Sequence, residues 1–455
     1  MEIDRGKLKQ QHERELKMFE EAHPKSKALH KEASEYLLQG VPLNWMVRWS
    51  SAYPITVVEA KGAHLKCVDG LDHIDFCLGD TGSMVGHAVD ASVKAISEQV
   101  KKGTTFMLPT EDATWVGKEL QRRFGLKYWQ FTTSATDANR FALRMARAIF
   151  RAKGDAKRNK ILAYDFCYHG SVDETLGMVT PEGKTTFRKG NIGQCIDPSV
   201  MTKFIEWNDV DALEEALKDE DVIAVIAEPV MTNMGIIHPD PGYHEALRAL
   251  TRKCGTYLLI DETHTICTGI GGYTRAYGLE PDILTAGKTL ASGIPVGIWG
   301  VSEEFGKLCQ PVFDSVYGFA KGIGGTLAAN ALTMATLRTT LSEILTEEYH
   351  ERDIALATRF NEGVQSVIRE FDLPWNTKQL GLRTEYWFKK EPARNGADAY
   401  YHTDLELDWY MHLASLNRGI LMTPFHNMAL ICGATTEADV DKHTAVFREI
   451  VQNIL

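Results

Sequence analysis

No two of the eight cysteines (Cys67, Cys77, Cys167, Cys195, Cys254, Cys267, Cys309 and Cys432) stand in C-x-x-C spacing. This excludes the common zinc-ligand patterns and a disulfide framework, and no metal site is expected. Cys77, inside Ile74-Asp75-Phe76-Cys77-Leu78, reads as a small core hydrophobe. No window approaches the roughly 18 apolar residues that a membrane span needs. The first 21 residues are charged and lack an apolar core, so no signal peptide is expected. Basic charge is in deficit, 50 Lys and Arg against 61 Asp and Glu for a net charge of −11. Nucleic acid and anionic membranes are therefore not expected partners. Repeats and low-complexity tracts are missing too. What is present is a 455-residue chain, 44% hydrophobic and 24% charged, the make-up of a cytoplasmic globular protein with a sizeable core.

Between Asp4 and Leu38, apolar residues at helical spacing predict a helix pair broken at Pro24. Ile55 to Phe76 reads as a small antiparallel meander. Short β-rich runs then alternate with helical patterns: Trp129 to Thr133, Lys160 to Tyr164, Val222 to Ala227, Tyr257 to Ile260, Ile283 to Ala286 and Ile294 to Val301. Continuous apolar runs such as Val222-Ile223-Ala224-Val225-Ile226-Ala227 suit strands buried on both faces, and the alternation predicts a mainly parallel α/β sheet. A helical stretch from Ala328 to about Phe371 follows. Strands near Leu382–Phe388, Gly419–Met422 and Ala429–Cys432, and a helix from Thr436, predict a separate α+β lobe.

In open α/β sheets, ligands bind beyond the carboxyl ends of strands. Thr133-Ser134-Ala135-Thr136 opens a helix there, and free amides at a helix start favour a phosphate, although Ser134 or Thr136 could equally be an ordinary N-cap. Glu228 and Asp261 each follow apolar strands, where a carboxylate needs a cationic partner or hydrogen bonds. Lys288, in Leu284-Thr285-Ala286-Gly287-Lys288-Thr289, is a single cation among small and apolar residues. Such surroundings disfavour an ammonium and make the amine a Schiff-base former, whereas most lysines are solvated surface groups. A phosphate cradle, an acid and a reactive amine are the parts that hold pyridoxal phosphate.

Ordered motifs carry a resemblance from about Gly40 to the C-terminus. They are Thr133-Ser134-Ala135-Thr136-Asp137-Ala138-Asn139, Cys167-Tyr168-His169-Gly170, Glu228-Pro229-Val230-Met231-Thr232-Asn233-Met234-Gly235, Asp261-Glu262-Thr263, Ala286-Gly287-Lys288 and Gly324-Gly325-Thr326. On these the chain resembles the class III pyridoxal-phosphate aminotransferases, and within them glutamate-1-semialdehyde aminomutase and β-amino-acid aminotransferases. The resemblance implies a fold type I transferase. A mainly parallel seven-stranded sheet would lie in a large domain (76–335), with a smaller α+β domain built from residues 1–75 and 336–455. It implies that Lys288 carries the Schiff base, Asp261 pairs with the pyridine nitrogen and Tyr168 stacks on the ring. Ser134, Ala135 and Thr136 would bind the phosphate, and Glu228 and Asn233 would lie near the 3-hydroxyl side. Thr263 would cover the opposite face, and Thr326 would reach the phosphate of the other subunit of a homodimer. His169 is read as structural.

The reaction implied is amino transfer from an amino acid or amine to an oxo acid or aldehyde, with 2,1-aminomutase chemistry as the alternative. For a substrate carboxylate, no arginine occurs between Gly419 and Phe447, where many relatives carry one. His426 stands about where the aminomutase has a glutamate. Arg48, beside Trp45, and Arg383 are the remaining candidates. Arg48 could grip a carboxylate or stack on tryptophan, and Arg383 could pair with Glu385 two residues on. A carboxylate-bearing amine with an aromatic or aliphatic side chain is the expected substrate.

Overall fold

The computed structural model describes residues 2–194, 196–314 and 321–455. The chain divides into two compact units. Ala91–His350 with Ala393–Tyr401 form the larger, and Met1–Asp90, Glu351–Pro392 and His402–Leu455 the smaller. The expected divisions at 75/76 and 335/336 fall earlier than these. Residues 76–90 stay with the smaller unit because backbone bonds tie Phe76 to Leu421 and Leu430, and His87 to Gly62. The helix Ala331–Thr339 stays with the larger, where Arg338 reaches Asp112 at 2.7 Å.

The larger unit is built on seven strands: β1 (Tyr128–Thr132), β2 (Lys160–Tyr164), β3 (Thr202–Ile205), β4 (Val222–Ala227), β5 (Tyr257–Asp261), β6 (Ile283–Gly287) and β7 (Gly297–Val301). Their order in the sheet is β1-β7-β6-β5-β4-β2-β3. Neighbours from β6 through to β3 run parallel, and β7 runs antiparallel to both β6 and β1. The carboxyl ends of the other six strands therefore share one edge. All six residues of β4 are buried, as a strand covered on both faces requires. The helix α1 (Ala135–Ala152) lays Ala138, Ala142, Ala146 and Ile149 into the core that Ile223, Leu259, Ile283 and Trp299 form with it. Each large apolar side chain buried there contributes roughly 1.5–3 kcal/mol. Strand β3 is absent from the sequence reading. It is a four-residue edge strand, interrupted by Lys203, with no apolar run to announce it.

In the smaller unit the expected meander is present as Val57–Lys61, His64–Cys67 and Asp72–Asp75, with Ile420–Leu421 added in parallel to the third strand. Asn376–Leu380, Arg383–Trp387 and Met428–Leu430 form a second antiparallel sheet. The closing helix Glu437–Gln452 starts with a capping box, Thr436 and Asp439 each binding the other's backbone amide. Among the described residues, no helix is long and apolar enough to cross a membrane.

Candidate active site

The shared carboxyl edge of the large sheet gathers the sequence-predicted residues of the larger unit other than Thr326. Ser134 follows β1 with extended backbone and caps α1, its Oγ accepting from Asp137 N at 3.2 Å. The capping alternative is thus realised by Ser134, and α1 still presents its first amides at Ala135 and Thr136. Strand β7 packs tightly under this start: a Cβ on Gly297 would lie 2.2 Å from the Ser134 carbonyl oxygen. The loop after β2 closes the other side. Gly170 has φ +81, and a Cβ there would lie 2.1 Å from Thr136 Oγ1, which accepts from Ser171 N at 3.3 Å. Only glycine fits that position.

Asp261 ends β5 and is 3% exposed. Its Oδ1 accepts from Thr263 N at 3.0 Å and Thr263 Oγ1 at 2.6 Å. Its Oδ2 accepts from Asn139 Nδ2 at 2.8 Å and lies 3.0 Å from His169 Nδ1. Asn139 is itself held by Thr285 Oγ1, which donates to Asn139 Oδ1 at 2.6 Å. Burial pushes the carboxyl pKa up, but His169, by hydrogen bond and charge, with Thr263 and Asn139, outweighs it and holds Asp261 below the usual aspartate value. A charge placed this deep is kept ionised by its neighbours.

Glu228, just past β4, behaves oppositely. Burial raises its pKa and the charge of Asp261 adds to the rise, against His169 and Thr232. Its Oε1 accepts from Tyr168 N at 3.3 Å and its Oε2 from the Thr232 hydroxyl. Asn233 Nδ2 donates to Phe166 O at 2.9 Å, fastening the loop before Tyr168, whose ring is half-buried. Glu262, fully buried, accepts from Thr265, Tyr273 N and Thr274 N and braces the following turn.

Lys288 follows β6 directly, with φ 53, a left-handed conformation unusual for a side-chain-bearing residue. Its Nζ lies 3.0 Å from His264 Nε2. The larger unit thus assembles an amine, an ionised carboxylate and a helix start with free amides. That donor set fits a group bearing an aldehyde, a basic ring nitrogen and a phosphate, with the glycine-lined closeness of Gly170 to Thr136 shaping the phosphate end. Thr326 lies in an exposed stretch of this chain.

The four substrate candidates belong to the smaller unit. The Arg48 guanidinium is exposed and stacks over Trp45 at 5.2 Å and Phe425 at 5.9 Å, so the tryptophan contact is realised. Arg383 is fully buried, its Nε 4.0 Å from Glu385 Oε2, while Glu385 Oε1 lies 3.1 Å from His426 Nδ1. Sequence reasoning missed three contacts. These are His169 with Asp261, the Thr285–Asn139 support behind them, and His264 with Lys288. Only the Asn139 and His169 motif positions carried a hint.

A family model for aminotransferase class-III matches residues 45–451. Glutamate-1-semialdehyde 2,1-aminomutase of Sulfurihydrogenibium azorense is 35% identical over 383 residues, covering 82% of this chain and 86% of that protein. Among solved structures, a glutamate-1-semialdehyde aminomutase from Pseudomonas aeruginosa PAO1 superposes with a TM-score of 0.95 at 42% identity, covering all of both chains. A lysine-to-alanine variant of it, in complex with PMP, matches equally. An omega-transaminase from Sphaerobacter thermophilus gives a TM-score of 0.85 at 26% identity, over 94% of this chain and 97% of that one.

Proposed function

Because the chain belongs to the class III aminotransferase family, we propose that it binds pyridoxal phosphate through Lys288 and moves an amino group between adjacent carbons of one substrate, as a 2,1-aminomutase does. The observation that carries amino transfer is the four-donor shell that keeps buried Asp261 ionised on the strand beside the one that leads into Lys288. The aminomutase relatives at 35% and 42% identity favour the one-substrate form.

When bound, pyridoxal phosphate supplies an aldehyde that condenses with amines and a ring that accepts electrons. Asp261, held ionised, would pair with the ring nitrogen and keep its proton in place. The amides of Ala135 and Thr136, at the positive end of α1, and the neighbouring Ser134 hold the phosphate. Lys288 carries the covalent link and, when free, takes and returns a proton at Nζ. Tyr168 and Thr263 would hold the ring, and Glu228 and Asn233 would serve its 3-hydroxyl side. Arg48 and Arg383 are the candidates for the substrate carboxylate, with Trp45 and His426 beside them. A cytoplasmic homodimer, in which the exposed Thr326 would serve the other subunit's phosphate, completes the reading.

A two-substrate transaminase is the second reading, favoured by His426 being engaged with Glu385 where the aminomutase has a glutamate. The test is the cofactor absorbance under two regimes. An aminomutase turns over glutamate-1-semialdehyde with no added acceptor. A transaminase stalls in its amino form with a donor amine and recovers only on adding an oxo acid. Borohydride treatment of the holoenzyme fixes an adduct on the Lys288 peptide in either case, and its absence overturns both.

A further inference from the structure

Strands β5 and β6 pair in parallel with Asp261 opposite Thr285. His264 and Lys288 each lie three residues beyond that matched pair, so the register itself delivers them to the same place, where Nε2 and Nζ stand 3.0 Å apart. The carboxylates closest in sequence to His264 are already engaged. Asp261 is bound by Asn139, His169 and Thr263, and Glu262 by Thr265 and the amides of Tyr273 and Thr274. The half-buried imidazole meets the lysine nitrogen in this geometry.

We propose that His264 is a positioning residue for Lys288: with its own proton on Nδ1, it accepts a hydrogen from the Lys288 ammonium through Nε2. This rests on the reading of Lys288 as the proton carrier. When Lys288 takes a proton, a substrate C–H bond breaks, its electron pair stays on the substrate side, and a third N–H bond forms at Nζ. A hydrogen bond to a charged donor is stronger than one to its neutral form. The imidazole therefore stabilises the protonated lysine more than the free amine, which makes the amine a stronger base for the abstraction and aims it as it waits. Asp261 and Glu262 are the charged groups on the same segment as His264. Both keep their own partners, so neither replaces the imidazole.

The test uses cofactor-free protein, in which the pH dependence of Lys288 acetylation by acetic anhydride is read by peptide mass spectrometry. His264→Leu and His264→Phe remove the acceptor with different bulk, and His264→Gln keeps an acceptor oxygen. The labelling midpoint of Lys288 is expected to fall in the Leu and Phe variants and to return toward wild type in the Gln variant. In the reconstituted enzymes, the primary deuterium isotope effect on the amine half-reaction rises in Leu and Phe. Equal midpoints in all four proteins, with the wild type still forming its borohydride-fixed Lys288 adduct, overturn the role of His264. A wild type that forms no adduct overturns instead the reading of Lys288 on which it rests.

Discussion

His169 Nδ1 and Asp261 Oδ2 lie 3.0 Å apart with both side chains almost wholly buried, although 92 residues separate them in the chain. The pair explains how a carboxylate survives as an anion at the end of an apolar strand. It also converts a histidine that reads as structural into the main support of the proposed ring-nitrogen partner.

Replacing His169 with Phe should raise the Asp261 pKa, because burial then meets less opposition. The sign follows from linkage. A carboxyl held below its ordinary 3.8 contributes stability present above that value and lost as pH falls through the folded value. In the variant this contribution shrinks, so melting temperatures recorded from pH 3 to 7 should drop at every pH above 4. Cofactor affinity should weaken by about tenfold, the equivalent of ~1.4 kcal/mol.

Gly170→Ala places a methyl group 2.1 Å from Thr136 Oγ1 in a left-handed backbone. The loop bearing Tyr168 must shift away from the start of α1. We expect a loss of about 1–3 kcal/mol in denaturant unfolding. Affinity for inorganic phosphate or pyridoxal phosphate, measured by fluorescence titration, should weaken in parallel.

In the smaller unit, burial pushes the Asp408 carboxyl up to about 7, with Asn427 and His426 opposing it and Asp404 and Glu385 reinforcing it. A group with a raised folded value stabilises below its unfolded value, and that contribution is lost as pH rises through about 7. Asp408→Asn should therefore stabilise the protein at pH 8, by on the order of 2 kcal/mol, and flatten stability between pH 4 and 7. The Asn427 Nδ2 donation to position 408, now 2.7 Å long, can be kept by the asparagine carbonyl. Urea unfolding at pH 5 and pH 8 checks this.

Arg48 and Arg383 separate by cost. Arg48 is exposed and stacked, so Arg48→Ala should leave the melting temperature nearly unchanged and raise KM for a carboxylate-bearing substrate by about tenfold. Arg383→Ala leaves buried Glu385 with less compensation and should destabilise by about 3–5 kcal/mol. Steady-state kinetics on acid and decarboxylated substrate pairs, with thermal melts, distinguish the two.

The strands buried on both faces were readable because nothing but an apolar run satisfies such a site, as in β4 and β5. Edge elements carry no such demand. Strand β3 holds Lys203 and Asn376–Leu380 is largely polar, and both passed unread. Lys288 and Asp261 stood out as charges in apolar surroundings. Their partners did not, since the contacts of His169 and His264 depend on chain crossovers and strand register rather than on local pattern. Arg48 shows the remaining gap: arginine beside tryptophan named both options, and the stacked one became visible only with Phe425 brought alongside.

The one reversed strand of the large sheet has a consequence for biosynthesis. Gly297–Val301 is the splint between the early strand that leads into α1 and the late strand that leads to Lys288. A nascent chain that has not yet emerged past residue 301 has both of those strands but lacks the one that pairs between them. Completion of the large sheet must therefore wait until about two-thirds of the polypeptide has left the ribosome.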